Sequence, residues 1–205
     1  MSAPAPVVHV IEDDASVRTA VTRLLRVAGF ESRAYGSAAE FLVAKDIDSP
    51  GCVVLDVGLP GMDGMELYAA LSQQRETSVV FLTGRGDVQM SVSAMKAGAV
   101  DFLTKPVKRD ALLDAVGRAL DRDRERRARR QAVSGLRTRF DTLTERERQV
   151  FQRVVQGRLN KQIAGELGTS IRTVKVHRAR VMEKMQVASL PDLVRAADRL
   201  NVPTS

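Results

Sequence analysis

The sequence has no tryptophan, one cysteine and two histidines among its 205 residues. Because Cys52 has no second cysteine to pair with, an internal disulfide is excluded and a reducing compartment is favoured. Two histidines, His9 and His177, argue against a histidine-based metal site. No apolar run approaches the ~20 residues that a membrane span needs, and residues 1–6 lack the basic and apolar stretches of an export signal. We therefore expect a cytoplasmic protein without a membrane partner, whose residues 1–6 are disordered.

Positive charge is spread unevenly along the chain. Residues 1–120 carry a formal charge of −3, whereas residues 121–205 carry +10. A strongly basic second half indicates a polyanionic partner for that half alone. Charge by itself leaves open the alternative of a basic surface that is merely solvated.

Short apolar runs alternate with longer amphipathic ones up to about residue 120. The pattern predicts strands at Val7–Ile11, Glu31–Tyr35, Cys52–Leu55, Val79–Leu82 and Asp101–Leu103. It predicts helices at Ala15–Ala28, Ala38–Val43, Gly64–Ser72, Val88–Ala97 and Asp110–Leu120. The run 53–55 has no polar alternation, as expected of a strand that is buried on both faces. The alternation predicts an α/β fold with a doubly wound, five-stranded parallel sheet.

The chain changes character after residue 120. The run 122–127 has no apolar face, and opposite charges recur at helical spacing, as in Asp123 with Arg127, which is typical of a helix that extends into solvent. This favours a charged helical linker with a break at Gly135, and a disordered basic linker is the alternative.

Residues 140–205 are predicted to form a small all-α domain. Signals for helix starts recur in this region: a capping box at Thr144 and Glu147, then candidate caps at Asn160, Ser170 and Ser189. Gly168 would allow a tight turn between the second and third of these helices.

Polar side chains stand at the carboxyl ends of four predicted strands. These residues are Glu12, Asp13 and Asp14 after the first strand, Asp56 at the third, Thr83 at the fourth and Lys105 at the fifth. In a parallel sheet these strand ends share one edge, where ligands bind. Crowded carboxylates need a cation, and hard oxygen ligands suit Mg²⁺. A Mg²⁺ site beside a lysine and a hydroxyl suits a phosphoryl group, which Asp56 is the best placed to accept as an acyl phosphate.

Each of these residues also has a plainer interpretation. Asp13 or Asp14 could cap the following helix, and Thr83 could cap the next one. Asp56 could be a turn residue, and Lys105 could be a surface lysine. Their joint placement at four strand ends favours the phosphoryl site.

Residues 7–120 resemble the receiver domain of two-component signalling. The resemblance is carried by residues 11–14, 55–64, 82–84, 94–99 and 101–106. It implies a flavodoxin-like fold in which Asp56 is the phosphoacceptor, assisted by Thr83 and Lys105. It also implies a Mg²⁺ site made by Glu12, Asp13, Asp56 and the backbone carbonyl of Gly58.

The same resemblance implies a conformational switch formed by Thr83 and Phe102, and a cis peptide bond between Lys105 and Pro106. Two positions depart from the common pattern. Glu12 stands where many members have Asp, and its longer side chain is expected to reach the metal through water. Phe102 stands where Tyr is common, so plain core packing is its alternative role.

Residues 159–177 resemble the helix-turn-helix of LuxR/FixJ-type regulators, and residues 143–150 fit the same family. If Val174, Val181 and Met185 face inward, the opposite side of their helix is basic with a small apolar spot, which suits a DNA major groove. The expected DNA contacts are Lys161, Ser170, Arg172, Thr173, Lys175, Val176, Arg178 and Arg180. Some relatives have a basic residue where Ala179 stands, so the choice of base-reading side chains stays open. A helical bundle for protein contacts is the alternative.

Together these features resemble a response regulator of the FixJ/NarL type, with a receiver domain at 7–120, a helical charged linker at 121–139 and a LuxR-type DNA-binding domain at 140–205. The resemblance implies that a histidine kinase phosphorylates Asp56, which promotes dimerisation and transcriptional regulation through double-stranded DNA. RNA polymerase is a further candidate partner. Dimerisation is expected through the fourth helix, the fifth strand or the fifth helix.

We expect that the protein is not an enzyme, although its receiver domain would assist its own phosphoryl transfer and slow dephosphorylation. An aspartyl-phosphate phosphatase is one rival, but such enzymes usually need a second acid two residues after the nucleophile, where this chain has Gly58. An RNA-binding antiterminator and a protein-interaction adaptor are the others.

Overall fold

The computed structural model describes residues 5–44, 49–74, 77–84 and 88–203. The chain divides into two compact units, Met1–Arg127 and Ala128–Ser205. The predicted disordered segment 1–6 lies outside the described residues except for its last two. The domain limits expected from the sequence stay a prediction. None of the described helices combines the length and the apolar character needed to cross a lipid bilayer.

The first unit is built on a parallel sheet of five strands. The strands are β1 (Val7–Ile11), β2 (Glu31–Tyr35), β3 (Gly51–Asp56), β4 (Val79–Thr83) and β5 (Asp101–Thr104). The helices are α1 (Ala15–Val27), α2 (Ala38–Val43), α3 (Gly64–Gln74), α4 (Val88–Lys96) and the first part of α5 (Arg109–Asp141). The strand order is β2-β1-β3-β4-β5. The predicted doubly wound parallel sheet is confirmed.

Helices cover both faces of this sheet, so most strand residues are buried regardless of the face to which they point. One face packs against α1 and α5, through residues such as Leu25 and Leu112. The other face packs against α2, α3 and α4, through residues such as Phe41, Leu67 and Ala94. Burial on both faces explains why β1, β3 and β4 are nearly continuous apolar runs.

The strand order determines where a ligand can bind. The chain leaves β1 for β2 on one side, and β3 then pairs with β1 on the other side. Such a reversal opens a crevice at the carboxyl ends of the strands. Because Ile11 lies opposite Leu55, the acids that follow β1 reach the same crevice as Asp56 at the end of β3.

Helix α5 runs without interruption from Arg109 to Asp141, so the charged segment after residue 120 is helical, as predicted, and continues the preceding helix. The predicted break at Gly135 is wrong. A glycine inside a helix costs about 1 kcal/mol relative to alanine. Burial of the neighbouring Leu136 in the core of the second unit offsets this cost, because a fully buried leucine contributes roughly 2 kcal/mol.

Asp123 is buried, although the charge pattern of its segment predicts a solvated linker. Its carboxylate accepts hydrogen bonds from the backbone amide of Gly51 at 3.0 Å, from Arg127 Nε at 2.7 Å and from Arg126. Arg127 also donates to the carbonyl oxygen of Ser49 at 2.5 Å. These bonds fasten the helix to the start of β3, so the charged segment is anchored to the sheet as far as Arg127.

Replacing Asp123 with alanine is expected to destabilise the first unit by about 2 kcal/mol, because the hydrogen bonds to a buried carboxylate are lost and the half-buried charges of Arg126 and Arg127 are left uncompensated. Asp121→Ala is the matched control, since Asp121 makes an exposed ion pair with Arg124 and should contribute about 0.5 kcal/mol or less. Urea unfolding of the full chain, followed through amide signals of the sheet, measures both. Equal effects of the two substitutions would contradict the anchoring role of Asp123.

The second unit contains the end of α5 and four further helices. These are α6 (Glu145–Val155), α7 (Asn160–Glu166), α8 (Ile171–Met185) and α9 (Leu190–Arg199). They enclose one core that includes Phe151, Ile163, Val174, Val181 and Leu193. The predicted all-α domain is confirmed.

Three of the four predicted helix starts in this unit are confirmed. Thr144 and Glu147 form the capping box of α6, while Ser170 and Ser189 cap α8 and α9. The prediction for Asn160 is wrong, because Leu159 is the cap residue and Asn160 already lies inside α7. Gln162 reaches back to accept a hydrogen bond from the Leu159 amide at 2.8 Å, which replaces the cap expected from Asn160.

Candidate functional site

Three carboxylates meet in the crevice at the carboxyl edge of the sheet. Glu12, Asp13 and Asp56 each offer an oxygen, and these oxygens all lie within 4.8 Å of one another. Glu12 and Asp56 are buried, whereas Asp13 is exposed. Three carboxylate oxygens with one open side form a donor set that fits a hard cation such as Mg²⁺.

Lys105, at the end of β5, reaches into this cluster. Its Nζ lies 2.7 Å from Glu12 and 2.9 Å from Asp56 Oδ1. Burial would lower the pKa of Lys105, but its hydrogen bonds to Glu12 and Asp56 and their negative charges outweigh burial and raise it. Burial raises the pKa of Glu12, and the hydrogen bond from Lys105 opposes this. Lys105 is therefore a fixed cation held among buried acids, and the plainer interpretation of a surface lysine does not describe it.

Thr83 and Phe102 lie on β4 and β5, the two strands that follow β3 in the sheet. Thr83 ends β4 and is buried. Phe102 in β5 is half-buried and packs against Phe81, with the ring centroids 6.0 Å apart. The bond between Lys105 and Pro106 is cis, as expected.

The loop after Asp56 passes very close to the strand that it leaves. Gly58 is exposed, and a Cβ added to it would lie 3.7 Å from Asp56 Oδ2. A Cβ on Gly64 would lie 2.2 Å from the carbonyl oxygen of Asp56, which is too close for any side chain. Glycine at position 64 therefore allows the first turn of α3 to pack directly against the end of β3.

The loop between β1 and α1 carries two of the three acids. Asp14 caps α1 by accepting hydrogen bonds from the amides of Ser16 at 2.8 Å and Val17 at 3.0 Å. Asp14 thus has the plainer role of a cap, while Asp13 belongs to the carboxylate cluster. Sequence reasoning missed Arg18, whose Nη1 donates to the carbonyl oxygens of Glu12 at 2.6 Å and Asp13 at 3.0 Å. The only signal for Arg18 in the sequence is its position one helical turn after the cap.

Helix α8 presents a basic surface opposite its buried face. Arg172, Lys175 and Arg180 are exposed, and so is Lys161 on α7. Val176 is 45% exposed and Ile171 44%, which adds an apolar spot to the charged surface. The structure therefore brings these basic and apolar side chains onto the accessible side of α7 and α8.

Three other predicted contacts also form bonds inside the unit. The hydroxyl groups of Ser170 and Thr173 lie 2.8 Å apart, and Ser170 accepts from the Thr173 amide at 3.1 Å. Arg178 donates to Asn160 at 3.3 Å and so ties α8 to α7. These bonds stabilise the start of α8 and hold it at a constant distance from α7. Binding to DNA would require such a rigid arrangement of the two helices.

One arginine and one lysine outside the predicted site residues hold the helices of the helix-turn-helix in place. Arg146 on α6 donates to the carbonyl oxygen of Leu167 at 2.5 Å, in the turn between α7 and α8. Lys184 on α8 donates to buried Glu147 at 2.6 Å. Burial would raise the pKa of Glu147, but hydrogen bonds from Lys184 and Thr144 outweigh it and hold the pKa below its ordinary value.

We expect Glu147→Gln to destabilise the second unit by about 2 kcal/mol near neutral pH, since a hydrogen-bonded charge is lost while a capping side chain remains. A lowered carboxyl pKa gives stability that is present above the ordinary value and is lost as the pH falls through the lowered pKa. The difference between wild type and variant should therefore shrink in acid. Urea unfolding followed at amides of α6 and α8 measures this, with Glu145→Gln as the exposed control on the same helix. A difference that does not change with pH would exclude the ionised pair as its cause.

Comparison with protein families gives two matches that divide the chain between them. Residues 8–117 match the family described as response regulator receiver domain. Residues 141–197 match the bacterial regulatory proteins of the luxR family. Both resemblances predicted from the sequence are confirmed.

Relatives and solved structures match over nearly the whole chain. Nodulation protein W of Bradyrhizobium diazoefficiens is 45% identical, over 96% of this chain and 87% of its own. The transcriptional regulatory protein FixJ of Azorhizobium caulinodans is 46% identical, over 93% of this chain and 90% of its own. The structure of response regulator StyR matches with a TM-score of 0.85 and 45% identity, covering 96% of this chain and 100% of that one. Full-length FixJ from B. japonicum matches with a TM-score of 0.57 and 40% identity, over 98% of this chain and 100% of that one. The chain therefore belongs to the response regulator transcription factors that join a receiver domain to a LuxR-type DNA-binding domain.

Proposed function

We propose that Asp56 accepts a phosphoryl group from a histidine kinase and that this modification controls DNA binding by the second unit. The observation that carries the proposal is the position of Lys105 Nζ, 2.7 Å from Glu12 and 2.9 Å from Asp56 within a cluster of three carboxylates. A fixed cation and a cation-binding pocket beside one buried carboxylate suit the transfer of an anionic group.

The donor set supports Mg²⁺ as the cation. Glu12, Asp13, Asp56 and the backbone carbonyl of Gly58 would hold it, and water would complete the hard oxygen shell that Mg²⁺ prefers. Bound Mg²⁺ would offset negative charge on the carboxylates and on the phosphoryl oxygens.

The chemical step belongs to Asp56. One of its carboxylate oxygens forms a bond to phosphorus while the bond between phosphorus and the imidazole nitrogen of the donor histidine breaks, and that nitrogen keeps the electron pair. Lys105 is paired with Glu12 and Asp56 before the reaction, and its ammonium group would form an ion pair with a phosphoryl oxygen afterwards. Thr83 would contact another oxygen through its hydroxyl, and Phe102 would respond to the movement of Thr83.

The test is labelling of wild-type protein by a small phosphodonor, such as acetyl phosphate, with and without Mg²⁺. We expect one phosphoryl group per chain, dependent on Mg²⁺ and removed by hydroxylamine, as an acyl phosphate would be. Continuous release of phosphate at many turnovers would instead favour the rival phosphatase. Such turnover is not expected, because Gly58 offers no side chain to protonate a leaving group.

The output that we propose is sequence-specific binding to double-stranded DNA by a homodimer. The contacts proposed for the DNA are Lys161, Ser170, Arg172, Thr173, Lys175, Val176, Arg178 and Arg180. Paired half-sites are the usual target of a helix-turn-helix, which is why dimerisation would strengthen binding. Regulation of transcription through RNA polymerase is the proposed consequence.

A further inference from the structure

The loop that carries Glu12 and Asp13 is held by bonds from outside itself. The Glu12 amide donates to the carbonyl oxygen of Tyr35 at 3.1 Å, which attaches the start of the loop to β2. The two carbonyl oxygens that follow, those of Glu12 and Asp13, both accept from one nitrogen, Nη1 of Arg18. Arg18 therefore contacts the backbone of both acids of the loop.

We infer that Arg18 is a positioning residue for the cation pocket, and this inference rests on the proposed function. Its guanidinium binds the backbone of two proposed ligands through their carbonyl oxygens. Groups that orient metal ligands are typically worth a factor of about 10–100 in metal affinity.

Charge and position predict effects of opposite sign when Arg18 is neutralised. A positive charge near a cation site repels the cation, so removing that charge should by Coulomb's law strengthen Mg²⁺ binding slightly. Removing the two hydrogen bonds lets the loop relax, so the carboxylates are no longer held together and Mg²⁺ binding should weaken. The direction of the change therefore separates the two roles.

The experiment is calorimetric titration of Mg²⁺ into the full chain, for wild type and for Arg18→Gln, Arg18→Lys and Arg23→Gln. Arg23 is the matched control, because it is exposed on the same helix and neither loop carbonyl accepts a bond from it. We expect Arg18→Gln to raise the Mg²⁺ dissociation constant about ten-fold or more. Arg18→Lys, which keeps a donor and the charge, should recover part of this loss, while Arg23→Gln should leave the constant unchanged or slightly lower. The temperature of unfolding, measured for each variant without Mg²⁺, identifies any loss of the fold.

The outcomes are separable. A folded Arg18→Gln variant that binds Mg²⁺ as tightly as wild type, or more tightly, would overturn the positioning role alone. Weakening by Arg23→Gln equal to that by Arg18→Gln would overturn it as well, since the effect would then not depend on the loop bonds. Absence of Mg²⁺ binding by wild type would overturn the cation site of the proposed function and the role of Arg18 with it.

Discussion

Protein with Asp56 replaced by asparagine is expected to take up no phosphoryl group from acetyl phosphate and Mg²⁺. An amide oxygen is a poor nucleophile, and the other two acids of the cluster are proposed to be occupied as cation ligands. The side chain keeps its size in this variant, so the buried site at the end of β3 retains its packing. Intact-protein mass measurement, before and after treatment with hydroxylamine, gives the occupancy directly.

Asp63→Asn is the control for this substitution. Asp63 caps α3 by accepting a hydrogen bond from the Glu66 amide at 2.7 Å, and asparagine is an equally good cap, so the fold should be retained. Asp63→Asn should be labelled like wild type. Labelling of Asp56→Asn to the wild-type level would show that another residue accepts the phosphoryl group.

The second large effect is expected at the surface of α8. Replacing Arg172, Lys175 and Arg180 with alanine should weaken binding to duplex DNA about 100-fold, if each contact contributes roughly 1 kcal/mol. In a plot of the logarithm of affinity against the logarithm of salt concentration, the negative slope should become shallower by about 2 to 3, because each phosphate contact contributes about 0.9. Fluorescence anisotropy with a labelled duplex over a series of salt concentrations measures both quantities.

A control variant removes three positive charges from the first unit, through alanine at the exposed residues Arg23, Arg26 and Lys108. Its net charge equals that of the α8 variant, so a purely non-specific attraction would weaken both equally. Unchanged DNA affinity of the α8 variant would contradict the proposed surface. Equal or tighter binding of wild type to single-stranded RNA would favour the antiterminator instead.

The sheet and the acid cluster could be predicted from the sequence because both depend on local patterns. Apolar runs such as 53–55 have no polar alternation, which is what burial on two faces produces. Parallel strands place their carboxyl ends at one edge, so Asp56 and Lys105 could be brought together without knowledge of side-chain geometry. The helices of the helix-turn-helix could be predicted for a similar reason. Ser170 is a typical cap residue, and the apolar residues of α8 recur at helical spacing.

The features that were missed depend on partners distant in sequence or on backbone atoms. Asp123 is buried because its carboxylate accepts a hydrogen bond from the amide of Gly51, 72 residues away. A pattern of charged residues cannot predict a bond to a backbone amide. Helix α5 continues through Gly135 because the burial of Leu136 in the second core outweighs the helix-breaking tendency of the glycine. Arg18 binds two backbone carbonyl oxygens. Because every residue has such an oxygen, the residue types do not show which ones an arginine will bind.

The measurement that tests the account most directly is DNA affinity of the full chain with and without acetyl phosphate and Mg²⁺. A duplex selected by the phosphorylated protein from a random pool serves as the probe, and Asp56→Asn is measured beside wild type. We predict that the phosphodonor tightens binding by wild type about ten-fold or more, within the usual range of coupling between two sites, and leaves Asp56→Asn unchanged. Wild-type affinity that does not respond to phosphorylation, or an equal response of Asp56→Asn, would contradict the claim that the acid cluster controls the DNA-binding unit.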